Sequence, residues 1–191
     1  MKTTDTDIRI SLHAMLRREH ADKSVLPLIV DELSLCQGDA RIDIAVINGF
    51  IHGYEIKSES DTLERLSKQI EVYNKVLDKI TIVTSPCHMD RVIEMIPDWW
   101  GVTKAEKDEN GRMVFIPYRE ALNNPDIDAF SLAQLLWRDE AIEILKRRRL
   151  HKGLLSKPRN MLWSALSKRL DLQELQREVI NKLTARIKWR A

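Results

Sequence analysis

Cysteine is nearly absent from this 191-residue chain: Cys36 and Cys87 are the only two, and neither belongs to a Cys-x-x-Cys pair. A disulfide framework therefore has no support. Nor does a zinc site, since Cys87-His88 has no second half with which to complete one. No run approaches the ~20 consecutive apolar residues that a membrane helix needs. The opening Met1-Lys2-Thr3-Thr4-Asp5 lacks the apolar centre of a signal peptide. The expectation is a soluble, cytoplasmic protein with no membrane partner. No glycine-rich phosphate loop is present, which argues against ATP use within this chain. His13, His20, His52 and His151 show no triad or ligand spacing, and His52 should face away from Glu55, three residues on along a strand. There is no internal repeat and no low-complexity segment.

Charge, by contrast, is abundant and unevenly spread. The formal net charge is only +2, but residues 146–191 hold 14 Lys/Arg against 3 Asp/Glu, which leaves an acidic body ahead of a basic tail. Such asymmetry points to a polyanionic partner, or to the body itself. Arg147, Arg148 and Arg149 are the densest basic cluster and the natural candidates for nucleic-acid contact.

Hydrophobic spacing sets out the elements. Ile8, Leu12, Met15 and Leu16 recur at helical intervals within residues 7–20. Leu28 to Leu35 reads as a strand, Gln37-Gly38-Asp39 as a turn. Arg41 to Val46 alternates, with Ile42, Ile44 and Val46 on one face and Arg41, Asp43 and Ala45 on the other. Asn48-Gly49 signals a hairpin, and Phe50 to Lys57 follows as its second arm. Asp61 with Glu64 suggests a capping box for a helix whose buried stripe is Leu63, Leu66, Ile70, Tyr73 and Leu77. Ile80 to Thr84 reads as a buried strand. Further on, the pattern predicts a helix over Arg91–Ile96 and a hairpin turn at 108–111 leading into Met113–Ile116. Helices are expected near 129–149, 158–169 and 171–187. Asn123-Asn124-Pro125-Asp126 is the best boundary, separating a core of 1–125 from a basic helical region of 126–191. Among the tryptophans, Trp99-Trp100 read as one packed and one partly exposed ring, and Trp137 and Trp163 as core. Trp189 between Lys188 and Arg190 is the better base-stacking candidate.

One constellation carries chemistry. Cleaving a phosphodiester needs an activated water and relief of charge on the phosphorus oxygens, and Mg²⁺ held by oxygen ligands supplies much of both. Glu55 and Lys57 are two apart on one strand and so emerge on one face. The tight turn makes that strand the neighbour of the one bearing Asp43. The two carboxylates, read as an exposed ligand pair, would repel one another unless a cation lay between them. Glu55-Ile56-Lys57 is the only acid-x-Lys triplet in the chain.

The pattern Asp43…Glu55-Ile56-Lys57 resembles the PD-D/ExK, or restriction-endonuclease-like, phosphodiesterases, whose shared core of helix, three strands, helix and strand is the order read above. Glu32 stands where many members place an additional acid. Arg41-Ile42-Asp43 follows Gly38 much as a glycine and a basic residue precede the aspartate in several Holliday-junction resolvases. Gln69…Tyr73 resembles the QxxxY motif of the RecB-like branch. The whole chain is similar to a bacterial group of small members carrying Gly53-Tyr-Glu-Ile-Lys-Ser58, Asp61-Thr62-Leu63, Arg65-Leu66, Pro97-x-Trp-Trp-Gly101 and Leu136-Trp137-Arg138-x-Glu140. The departure is Arg41-Ile42 where a proline often precedes the aspartate.

The resemblance implies an α/β fold with a mixed sheet flanked by helices and a C-terminal helical extension. It implies a Mg²⁺- or Mn²⁺-dependent nuclease acting on nucleic acid, DNA ahead of RNA, and paired cuts would favour a homodimer. Asp43, Glu55 and the carbonyl of Ile56 would bind the metal, Lys57 would handle the water, and Glu32 would support a second metal or water. Gln69 and Tyr73 would position the substrate backbone or Lys57. Arg41 would contact phosphate or pair with Asp39. The rival is a nuclease-like fold kept as a nucleic-acid- or partner-binding module, since fold alone does not fix function; a third reading makes the basic tail a clamp on a protein partner.

Overall fold

A computed structural model of the chain describes residues 3–21 and 26–187; Trp189 and its basic neighbours lie outside them. The order is α1 (Asp5–Glu19), β1 (Leu28–Leu35), β2 (Ala40–Ile47), β3 (Ile51–Lys57), α2 (Leu66–Tyr73), β4 (Lys79–Thr84), α3 (Met89–Met95), β5 (Gly101–Lys107) and β6 (Met113–Arg119). Four helices follow: α4 (Ala129–Ala133), α5 (Arg138–Arg147), α6 (Arg159–Arg169) and α7 (Leu172–Thr184). The strands form one six-stranded sheet in sequence order. β1–β2–β3 and β5–β6 pair antiparallel, while β3–β4 and β4–β5 pair parallel. The parallel pairs require crossovers, and α2 and α3 supply them.

Each face of the sheet has its own apolar layer. Ile8, Leu12 and Leu16 of α1, the stripe expected from their spacing, pack on Ile44, Val46, Ile56 and Val83. On the other face Val72, Tyr73 and Val92 join Ile42, Ala45, Ile47, Ile51 and Ile82. Leu132, Ile144, Leu166, Leu175, Val179 and Leu183 of the C-terminal helices belong to that same layer. The basic region after residue 125 is thus built onto the sheet's core. Gly53 permits the close approach: a Cβ there would stand 2.6 Å from Leu77 and 3.0 Å from Ile42. Among the described residues no helix is long and apolar enough to cross a membrane.

Four local expectations are corrected. Ile42 does not share a face with Ile44 and Val46; it lies in the α2-side layer with Ala45 and Ile47. The phase slips at Asp43, opposite Glu32 of β1, whose φ is +53°; β1–β2 pairing passes from Asp31↔Ile44 to Leu33↔Ile42 across that position. Asp61 does not cap the helix: its carboxylate accepts the Ser58 N–H (2.7 Å) and hydroxyl (2.6 Å), and α2 starts only at Leu66. The helix expected over 129–149 is broken into α4 and α5. Trp163 Nε1 donates to the Leu136 carbonyl at 3.0 Å, and Glu140 accepts the Trp137 N–H at 2.7 Å, so a new helix begins there. Finally, Asp43 and Glu55 are not an exposed pair, for Glu55 is 2% exposed. The aromatic readings agree in part: Trp100 and Trp163 are buried and Trp99 is partly exposed, but Trp137, expected in the core, is only half-buried at the start of α5.

Candidate active site

The strands that make the hairpin part company where the site begins. Regular β2–β3 pairing runs from Ile47↔Ile51 to Ile44↔Tyr54 and then ends. Beyond it the Asp43 carboxylate does what a backbone carbonyl would otherwise do: Oδ2 accepts the Ile56 N–H at 2.7 Å. A strand residue sends its N–H and C=O to the same edge. Lys57, one residue on, sends its carbonyl the other way, to the Ser85 N–H at 2.9 Å. The Ile56 carbonyl therefore opens toward Asp43, the side a shared ligand role requires of it.

Glu55 lies at the centre of a buried polar network. Its Oε1 accepts from Lys57 Nζ at 2.6 Å and from Gln69 Nε2 at 2.7 Å. Its Oε2 accepts the Tyr73 hydroxyl at 2.7 Å. The Gln69 carbonyl takes a second Lys57 N–H at 3.0 Å, and Gln69 Nε2 also reaches the Tyr73 oxygen at 3.1 Å. Gln69 and Tyr73, one turn apart on α2, thus fix Lys57 and Glu55 directly. Tyr73 is also within 2.6 Å of the Arg41 carbonyl, which locks α2 to β2. An ammonium has three N–H groups, so Lys57 keeps one beyond those given to Glu55 and Gln69.

Burial dominates the electrostatics. The Glu55 carboxyl is pushed up to about 7, first by desolvation and then by the neighbouring Asp43 charge, against the pull of Lys57 and the Tyr73 hydroxyl. Asp43 is raised by burial too, with the Ile56 N–H and Arg9 opposing it. Tyr73 is raised well above the usual phenol range by burial and by Glu55, so it remains a donor. A buried carboxyl whose ionisation a neighbouring carboxylate makes costlier forms a place where a cation is favourable.

A cavity of about 390 Å³ opens over this network. Asp43, Glu55, Ile56, Lys57 and Gln69 line it, and so do Glu32, Arg41, Arg65 and Lys68. Tyr73 sits beneath it, fully buried. Arg41 pairs with Glu32 at 3.3 Å, not with Asp39. Every donor facing a cation here is oxygen: two carboxylates and a main-chain carbonyl. Among the described residues no group of three or more His, Cys, Asp or Glu side chains is disposed around one metal position. Carboxylate, carbonyl and water ligands suit a hard ion that keeps most of its waters, as Mg²⁺ does.

Arg9 is the site residue that the sequence patterns do not reveal. From α1 its guanidinium donates to Asp43 Oδ1 at 2.7 Å and to the Asp43 carbonyl at 3.0 Å. It also pairs with Glu32 at 3.1 Å and Asp5 at 3.2 Å. The available signal was Asp5 one turn before Arg9, next to the buried Ile8. The cluster Arg147–Arg149 lies apart from the cavity, at the end of α5. Arg147 pairs with the buried Glu178. Arg148 reaches Glu178 at 3.0 Å and Glu174 at 3.1 Å. Arg149, at φ +57°, is exposed.

Comparison with known proteins finds one family, described as Bacteriophage P4 protein cII, whose profile matches residues 2–190. Protein cII of Enterobacteria phage P4 is 29% identical over 82 residues, a stretch covering 43% of this chain and 31% of the phage protein. The match thus spans about a third of that relative's length. No solved structure matches the chain.

Proposed function

The chain belongs to the bacteriophage P4 protein cII family, and we propose that it is a metal-dependent nuclease with a restriction-endonuclease-like core of the PD-D/ExK type. The observation that carries the reading is the convergence of Asp43, the Glu55–Lys57 pair and the Ile56 carbonyl on one cavity, with Gln69 and Tyr73 clamping the buried carboxylate. Asp43, Glu55 and the Ile56 carbonyl would hold Mg²⁺ or Mn²⁺, which when bound neutralises charge on the phosphoryl oxygens and activates water.

The chain's own groups do the rest. Lys57 is held by Glu55 and Gln69, so its remaining N–H meets a water or phosphate oxygen in one fixed position. Arg65 and Lys68, exposed at the cavity mouth beside Arg41, are the groups best placed to receive the phosphates of a nucleic acid. DNA is the preferred substrate in this reading, and paired cuts would be made by two copies of the chain.

A second reading has its own support. Arg9 already satisfies one oxygen of Asp43, as it would in an inert fold retained for binding nucleic acid or a partner. The deciding experiment offers the protein single-stranded, duplex and branched DNA and RNA with Mg²⁺, Mn²⁺ or a chelator. Cleavage with either metal and none with chelator is expected. Binding without cleavage on every substrate would establish the second reading instead.

A further inference from the structure

Arg9 is surrounded by more negative charge than one guanidinium neutralises. It contacts Asp43 at 2.7 Å, Glu32 at 3.1 Å and Asp5 at 3.2 Å, and lies 4.0 Å from Asp31. The neighbouring acids have few other partners: Arg41 takes the second oxygen of Glu32 at 3.3 Å, and His13 lies 2.6 Å from Asp31. Glu32, opposite Asp43, holds a left-handed backbone at φ +53°, a conformation uncommon for a non-glycine residue. Its side chain and that of Asp43 meet the same guanidinium.

We propose that Arg9 takes the place of a second divalent cation, so that the site between Asp43 and Glu55 loads a single ion. This rests on the metal-dependent reading above and deepens it. A guanidinium is a fixed, permanently charged donor fork that matches carboxylates. Here it fills the outer side of Asp43, the side on which a second ion bridging Asp43 and Glu32 would have to lie. Glu32 then serves as an anchor for Arg9, and Asp43 presents only its inner side to a metal. Without Arg9, the carboxylates of Asp5, Glu32 and Asp43 would face one another with only Arg41, at the second oxygen of Glu32, to offset them, an arrangement that itself favours a divalent ion.

The test counts bound ions and does not depend on turnover. Mn²⁺ is titrated into the full-length protein, with binding followed by calorimetry and free Mn²⁺ by electron paramagnetic resonance. Wild type, Arg9→Gln and Arg9→Lys are compared. Arg9→Gln removes the charge while keeping an amide donor for the Asp43 carbonyl, and a thermal melt verifies that each variant is folded. One Mn²⁺ per chain is expected for wild type and for Arg9→Lys, and two for Arg9→Gln. Two ions on wild type, or one on both wild type and folded Arg9→Gln, would overturn the role of Arg9 while leaving the metal site standing. No ion on any of the three would remove the metal site itself, and this inference with it.

Discussion

The hydroxyl of Tyr73 on α2 reaches Oε2 of Glu55 on β3 at 2.7 Å while also lying 2.6 Å from the Arg41 carbonyl on β2. A single buried phenol thereby ties the crossover helix to both strands that carry the candidate metal ligands. Tyr73→Phe keeps the ring in its layer and removes the hydroxyl shared between the buried Glu55 carboxylate and the Arg41 carbonyl. The expected loss of stability is roughly 1–3 kcal/mol, read by denaturant unfolding. Phosphodiester cleavage should fall as well, because Glu55 loses its fixed orientation. A variant as stable and as active as wild type would mean that Tyr73 is only packing.

Lys57→Ala should retain metal binding and lose rate. Lys57 contacts Glu55 and Gln69 and lines the cavity, where the proposed role is on water or phosphate and not on the ion. Losses of about 10²–10⁴-fold are usual for such groups. Single-turnover rates and Mn²⁺ affinity, measured side by side, separate the two roles. A collapse of metal affinity, with the rate restored at high Mg²⁺, would contradict this assignment.

Arg65→Glu with Lys68→Glu should lower nucleic-acid affinity and flatten its log–log salt slope by about 0.9 for each phosphate no longer neutralised. Arg147→Glu with Arg148→Glu should act differently. Glu178 is buried and paired with both arginines, so reversal leaves it unpaired at a cost on the order of 3 kcal/mol. The melting temperature should drop while the salt slope stays near wild type. A flattened slope from the second pair alone would return the phosphate-binding role to the tail.

How much of this was written in the sequence depends on how local the cause was. The hairpin of β2 and β3 was legible because alternation and Asn48-Gly49 are local signals, and α1, β1 and β4 likewise. Asp43, Glu55 and Lys57 were legible as a group because fixed spacings on adjacent strands place them together, while Gln69 and Tyr73 joined them through the resemblance to the QxxxY motif. Arg9 was not, since Glu32 and Asp43, the carboxylates that draw it into the site, lie on β1 and β2, far along the chain. The slip at Glu32 was hidden because a positive φ at a glutamate leaves no mark in composition. β5 was not delimited because Gly101-Val-Thr-Lys-Ala-Glu-Lys107 lacks a clean apolar face. The break between α4 and α5 depends on Trp163, distant in sequence.

His52 offers a pH test away from the metal ligands. Burial, with Lys79 nearby, pushes its imidazole down to about 4, and it bonds the Thr81 hydroxyl at 2.9 Å and Tyr54 at 3.2 Å. A histidine with a depressed folded value binds its proton more readily in the unfolded chain, so stability rises with pH. Its contribution is complete above about 6.5, and between there and 4 roughly 3 kcal/mol is lost. Wild type minus His52→Gln, measured by denaturant unfolding across pH 4–7.5, should isolate that slope, since the carboxylates titrate in both proteins. Parallel curves would show that His52 does not carry it.

The most direct test of the central claim is single-turnover cleavage by Asp43→Asn and Glu55→Gln beside wild type, with Mg²⁺ and then Mn²⁺. Both substitutions keep side-chain shape. The amide introduced at position 43 retains an oxygen for the Ile56 N–H, and the one at position 55 retains an oxygen for Lys57 and Gln69, while Tyr73 keeps the Arg41 carbonyl. Each removes a charge from the proposed ligand pair. The account predicts metal-dependent cleavage by wild type and none by either variant, with cooperative melts in all three. Cleavage by Asp43→Asn or Glu55→Gln at the wild-type rate would contradict it.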